Sequence, residues 1–202
     1  MMRWIYWSGW MLFRSAFRSL FKLRVKHKER LLTEGPVLVV SNHESFLDPP
    51  LIGTLYDDEM VFLARKTLFR GVTKWLYPQW NAVPVDQEKP DMSSLKAIIR
   101  ELKNGNRVLV FPEGARTLDG ELGEAQPGVG LIAAKAGVPV QPIRIRGARE
   151  ALPRGSGRMR LARIEVTVGP PIDLKAEGLA GGKDKDAYKK IADRLMAAIA
   201  EL

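Results

Sequence analysis

The spacing of hydrophobic positions changes along this chain. From Trp4 through Trp7, Trp10, Phe13 and Phe17 to Phe21, aromatic residues recur every three or four positions, the spacing of one helical face. From Pro36 onward short unbroken apolar runs replace that period: PVLVVSN at 36–42, MVFLA at 60–64 and RVLVFP at 107–112. Runs of this length, rich in β-branched residues and bounded by glycine, proline or polar positions, predict strands buried on both faces. NAVPV at 81–85 is a weaker strand because Pro84 lacks a ladder donor. VPVQPIRI after Gly137 is a further strand, and ARIEVTVG at 162–169 alternates like one with a wet face.

Between these runs the helical period returns. A short helix begins at DPPLIG, and another covers part of 68–77. Leu95, Ile98, Ile99 and Leu102 mark the clearest helix, over 91–103, with Asp91 and Ser93 as candidate caps and Gly105 as its stop. Residues 128–136 predict a helix ending at Gly137, and Tyr188, Ile191, Leu195 and Ile199 trace a closing amphipathic one. The stretch after Phe21 reads as a basic connector, and Gly178 to Lys185 as an exposed linker. Strands alternating with helices predict an α/β fold, a mostly parallel central sheet flanked by helices. The expected organisation is an N-terminal amphipathic helix over 1–22 and one domain over 23–202.

The N-terminal segment has arginines at 3, 14 and 18, and its uninterrupted apolar run falls short of the ~20 residues that cross ~30 Å of hydrocarbon. A small-residue cleavage site of the signal-peptide kind is missing. Three tryptophans flanked by cations suit a helix at the lipid–water boundary, so contact with a membrane bilayer is expected. Packing against the domain's own core is the alternative. Charge adds to this picture. Of a net charge of +9, residues 1–30 hold eight basic side chains against Glu29, and residues 144–163 hold seven arginines against Glu150. Such clusters speak of anionic lipid, phosphorylated substrate or nucleic acid as partners. The chain has no recognised nucleic-acid-binding motif, and its aromatics gather at the N-terminus, so no nucleic acid is expected. With no cysteine and two histidines, thiol catalysis, disulfides and a His-rich metal site drop out.

Candidate chemistry sits after two of the predicted strands. His43 follows the run at 36–42 and Glu113 the run at 107–112, so both fall at carboxyl ends of strands, where open α/β sheets bind ligands. Five residues along one helix would turn Asp48 about 140° away from His43. The prolines resolve this, because Pro49 suits the first helical position and drives Asp48 into extended backbone. Asp48 is then expected as N-cap, with residues 44–47 folding its carboxylate toward the imidazole. A carboxylate on one ring nitrogen fixes the tautomer and supports the proton taken by the other. Helix capping alone is the plainer alternative. In FPEGAR, Gly114 permits a tight turn and Arg116 can grip a phosphate. Glu113 can orient Arg116 or accept a substrate hydroxyl.

Asn42-His43 with Asp48, then Phe111-Pro112-Glu113-Gly114 with Arg116, then Val138-Pro139 with Pro142, resemble in order and spacing the glycerolipid acyltransferases of lysophosphatidic acid acyltransferase type. The likeness runs from about residue 25 to 172, with departures at Val85-Asp86-Gln87, where the family commonly has Val-Asp-Arg, and at Gln126-Pro127. It implies transfer of a fatty acyl group from acyl-CoA or acyl carrier protein to the free hydroxyl of a lysophospholipid. 1-Acyl-sn-glycerol 3-phosphate is the first expectation as acceptor, giving phosphatidic acid. A lyso-ornithine lipid acceptor and a non-catalytic lipid-binding relative are the alternatives. The same resemblance implies His43 as general base paired to Asp48, and Glu113, Gly114, Arg116 and Arg65 as substrate-binding residues. It implies no metal or cofactor, and a peripheral or monotopic place on the cytoplasmic face of the cell membrane.

Overall fold

The computed structural model describes residues 3–85, 92–117, 119–153, 155–182 and 184–202. Its strands are β1 (Arg24–Lys26), β2 (Leu38–Ser41), β3 (Met60–Arg65), β4 (Ala82–Val85), β5 (Arg107–Val110), β6 (Val140–Arg146) and β7 (Glu165–Val168). The helices are α1 (Arg3–Leu20), α2 (Asp48–Gly53), α3 (Val72–Gln79), α4 (Met92–Lys103), α5 (Pro127–Ala136), α6 (Ala148–Ala151) and α7 (Lys185–Ala200). The strands form one sheet in the order β1-β7-β6-β2-β5-β3-β4, with β6–β7 as its antiparallel pair. The mostly parallel sheet expected from the sequence is therefore present, with helices on both faces.

Period-two alternation divides the core between those faces. Leu38 and Val40 of β2, with Val108 and Val110 of β5, pack beneath α4, α5 and α7. Val37, Val39 and Leu109 point the other way, toward Leu51 and Ile52 of α2 and Phe17 of α1. Both central strands are buried along their whole length, which explains their continuous apolar runs. The stop signals also act as read. Gly137 closes α5 at φ 65°, and Gly105 follows α4 at φ 90°. Asp91 lies outside the described residues, and Ser93 is the second residue of α4.

Two parts differ from the sequence reading. The basic connector after Phe21 contains β1, an edge strand whose Arg-Val-Lys is too short and too charged to stand out. The aromatic stripe of α1 turns toward the domain from Trp10 to Phe21 and leaves Trp4 exposed. Tyr6 and Phe17 are buried, the Trp10 indole donates to the Tyr56 carbonyl at 3.0 Å, and the Met60 amide donates to the Tyr6 hydroxyl at 3.0 Å. The opposite face of α1 leaves Trp4, Met11 and Leu12 exposed.

Strand polarity then defines one rim. β2, β3, β5 and β6 end there, while β7 and β1 begin there, Glu165 lying opposite both Arg146 and Arg24.

Candidate active site

At this rim Asn42 fastens the end of β2 to β6. Its side-chain amide donates to the Ile145 carbonyl at 2.9 Å and accepts from the Ile145 amide at 2.8 Å. The chain then turns through residues 43–47 so that Asp48 comes back on it. One carboxylate oxygen, Oδ2, meets His43 Nδ1 at 2.8 Å and accepts from the backbone amides of Glu44 and Ser45, each at 2.7 Å. Asp48 is fully buried, and the His43 side chain is 16% exposed. With Nδ1–H donated to Asp48, Nε2 is the basic nitrogen of the neutral ring.

The expected N-cap role of Asp48 needs correction. Asp48 is the first residue of α2, Leu47 precedes the helix, and no side chain caps it. The reason lies in the same prolines. A cap at 48 would bond the amide of residue 50 or 51, and Pro50 has none while the Leu51 amide donates to the Leu47 carbonyl at 2.9 Å. The carboxylate is thus left to the turn before the helix and to the imidazole.

The FPEGAR segment supports the opposite side of the ring. Phe111 stacks on His43, with ring centroids 3.8 Å apart and planes 9° from parallel. Gly114 makes the expected tight turn at φ 71°, its amide donating to the Phe111 carbonyl at 3.0 Å. Glu113 is bonded to backbone. Its Oε1 accepts from the His43 amide at 3.0 Å and its Oε2 from the Gly123 amide at 3.3 Å. Burial raises its pKa above the usual carboxylate value. The Thr117 amide donates to the His43 carbonyl at 3.0 Å, so both peptide groups of His43 are tied to this segment. Arg116 lies over the Phe46 ring, 3.6 Å from its centroid.

His43, Arg65 and Arg116 open onto a common groove of about 520 Å³. Its walls come from α1, α2, β3 and the end of α3, with Trp10, Phe13, Gly53, Phe62 and, just after α3, Trp80 among them. Gly9 lets α1 approach α3 closely, since a Cβ there would meet the Trp80 indole nitrogen at 2.7 Å. An apolar channel with two guanidinium groups and one imidazole suits an amphiphile with an anionic head. Gly114 shapes the turn beside this groove and does not line it. Asp86 and Gln87 lie outside the described residues.

Several contributors carried no usable signal. Phe46 and Phe111 stand inside the two motifs, but their stacking roles follow from tertiary placement. Glu44 is 6% exposed and accepts from the Ala148 and Arg149 amides at 3.0 and 3.3 Å, anchoring α6 beneath the histidine turn. Burial, with the Asp48 charge adding to it, pushes its pKa up to about 7.

A buried carboxylate on the inner nitrogen of a rim histidine, beside an apolar groove, is an arrangement that can support general-base chemistry. The Acyltransferase family model matches residues 22–146, and the chain belongs to that family. It is 35% identical over 168 residues to the chloroplastic 1-acyl-sn-glycerol-3-phosphate acyltransferase BAT2 of Brassica napus, covering 81% of this chain and 47% of that protein. The chloroplastic LPAT1 enzyme of Arabidopsis thaliana is 32% identical over 181 residues, 87% of this chain and 49% of its own length. The chain thus spans about half the length of these relatives. Among solved structures, the 1-acyl-sn-glycerophosphate (LPA) acyltransferase PlsC from Thermotoga maritima superposes with a TM-score of 0.75 at 27% identity, covering 98% of this chain and 79% of that one.

Proposed function

We propose that this chain transfers a fatty acyl group from an acyl thioester, acyl-CoA or acyl carrier protein, to the free hydroxyl of 1-acyl-sn-glycerol 3-phosphate, forming phosphatidic acid. The observation that carries this reading is the 2.8 Å contact from His43 Nδ1 to a fully buried Asp48, on a ring that opens into the groove shared with Arg65 and Arg116. The similarity to 1-acyl-sn-glycerol-3-phosphate acyltransferases supports the acceptor.

In this reading Nε2 of His43 removes the proton from the acceptor hydroxyl as the oxygen attacks the thioester carbonyl. Asp48 stabilises the imidazolium that forms. Collapse of the tetrahedral intermediate breaks the carbon–sulfur bond, and the imidazolium returns its proton to the departing thiolate. Arg65 and Arg116 hold the acceptor phosphate, and the apolar walls hold acyl chain. Glu113 and Gly114 act on the substrate indirectly: the turn at Gly114 sets Arg116, and Glu113 fixes the backbone of His43. General-base assistance of this kind contributes about 10²–10⁴-fold in rate.

Among the described residues no helix is long and apolar enough to cross a membrane. The exposed Trp4, Met11 and Leu12 support a peripheral association through the outer face of α1, on the cytoplasmic side where the thioester donors are found.

The test offers the purified protein acyl-CoA or acyl carrier protein donors and a panel of lysolipids, and identifies products by mass spectrometry. Phosphatidic acid from lysophosphatidate is expected, and His43→Ala is expected to lose transfer while keeping its fold. Near-normal transfer by folded His43→Ala would remove His43 as the base. Acylation of another lysolipid with lysophosphatidate untouched would overturn the acceptor.

A further inference from the structure

The second arginine cluster divides in the structure. Arg144 donates to the Ala200 carbonyl at 2.7 Å and Arg146 to the Leu202 carbonyl at 3.0 Å, closing the carboxyl end of α7 where cations are favoured. Arg158, Arg160 and Arg163 remain exposed, and among the described residues no ion pair joins any of them to a carboxylate. Between them Met159 is 65% and Leu161 80% exposed. A single exposed apolar residue is ordinary. Two that alternate with three arginines of this kind are a different pattern.

This segment is anchored at both ends. The Arg160 amide donates to the Ala151 carbonyl of α6 at 2.8 Å, and the Ile164 amide to the Phe21 carbonyl after α1 at 3.1 Å. α6 is itself held by Glu44, and the Ser45 hydroxyl donates to the Leu152 carbonyl at 3.0 Å. Since β7 and β1 begin at the rim where β2 ends, residues 158–163 share that rim with His43. Beside them Leu20, 50% exposed, and the exposed Lys22 carry the same mixture across the end of α1.

We propose that residues 158–163, with Leu20 and Lys22, form a second docking arm that seats the catalytic rim on an anionic lipid bilayer. The arginines meet lipid phosphates, and Met159, Leu161 and Leu20 enter the apolar layer beneath them. A soluble acidic partner would explain the charge but not two apolar side chains held into solvent between arginines. Contact through this arm brings the turn that carries His43 to the surface from which a lipid acceptor arrives. The arm extends the membrane contact proposed for α1 and rests on it only in that both face the same bilayer.

Vesicle co-sedimentation of the full chain tests it, with phosphatidylcholine vesicles and with vesicles that also contain phosphatidylglycerol. The Arg158→Gln, Arg160→Gln, Arg163→Gln triple variant is expected to lose about 10²-fold in affinity for the anionic vesicles only. The Met159→Ser, Leu161→Ser pair is expected to lose about tenfold on both, a loss that persists at high salt. Both are expected to keep wild-type turnover on detergent-dispersed acceptor, and Trp4→Ser, Met11→Ser reports on α1 separately. Wild-type vesicle binding by both arm variants would overturn the arm, whatever the α1 variant does. Weakening by the arginine variant alone would overturn insertion of Met159, Leu161 and Leu20 into the apolar layer and reduce the arm to an electrostatic contact with lipid phosphates. Loss by the arm variants with an unaffected α1 variant would retain the arm and remove the α1 contact. Binding is read without catalysis, so absence of acyl transfer would leave this result standing.

Discussion

Asp48 concentrates three hydrogen bonds on one oxygen while Oδ1 has no hydrogen-bond partner among the described residues. This asymmetry makes Asp48→Asn informative. The asparagine oxygen can still accept from the Glu44 and Ser45 amides, so the turn persists, but the charge that steadies an imidazolium is gone. Turnover is expected to fall about 10²–10⁴-fold with KM little changed, measured by thiol release from acyl-CoA. Unchanged turnover would leave Asp48 with a purely structural task. Glu44 has a different consequence, through pH. Burial lifts its pKa from 4.5 to about 7, so the folded state binds the proton more tightly than the unfolded one. Folding stability from this group is full below its unfolded pKa and is lost as pH rises through about 7. Glu113, also raised by burial, acts with the same sign. Denaturant midpoints of the wild type are expected to decline between pH 5 and 8, and those of Glu44→Gln to decline less. Each tenfold difference in proton affinity between folded and unfolded protein is worth about 1.4 kcal/mol, enough to read in such a titration. Parallel declines in the two proteins would mean that Glu44 does not hold its proton in the folded state. The nearness of His43 and Asp48 was legible because the double proline bars a continuous helix through 43–48. The partners of Glu44 and Glu113 were not, since a carboxylate that accepts from distant backbone amides leaves no pattern in its own neighbourhood.

Elements whose burial follows one clear period were legible: β2 and β5 as continuous runs, α4 and α7 as amphipathic repeats, and the glycine stops that close α4 and α5. Those that exist through tertiary pairing were not. β1 has no hydrophobic run and is a strand because β7 offers it an edge, and the four residues of α6 are held at their amino end by Glu44. Close approach is also a tertiary property. Gly130 of α5 lies against α7 so tightly that an added Cβ would fall inside the Tyr188 carbonyl oxygen. Backbone cannot rotate away as a side chain can, so Gly130→Ala must separate the two helices over their shared core of Ile132, Ile191 and Leu195. It is expected to destabilise the protein by about 1–3 kcal/mol and lower Tm by about 2–12 °C, read by calorimetry. An unchanged Tm would mean that α5 and α7 do not meet as described.

At the scale of the whole molecule, α1 changes what a truncation can report. As an appended membrane helix, residues 1–22 would detach with loss of vesicle binding and nothing else. In the structure Phe17 and Phe21 belong to the core beneath α2, and Trp10 and Phe13 form a wall of the groove that His43 faces. Removing them uncovers Leu51, Ile52 and Tyr56 and opens the channel to water along one side. Burial of such side chains is worth about 1.5–3 kcal/mol each, a large share of the total stability of one domain. Deletion of residues 1–22 is therefore expected to give a chain that is poorly soluble and inactive even on detergent-dispersed acceptor, with a lowered or absent cooperative transition in circular dichroism. Trp4→Ser with Met11→Ser alters only the outward face and is expected to keep both the transition and that activity. A truncated protein that folds cooperatively and turns over dispersed substrate would show that the groove needs no wall from α1.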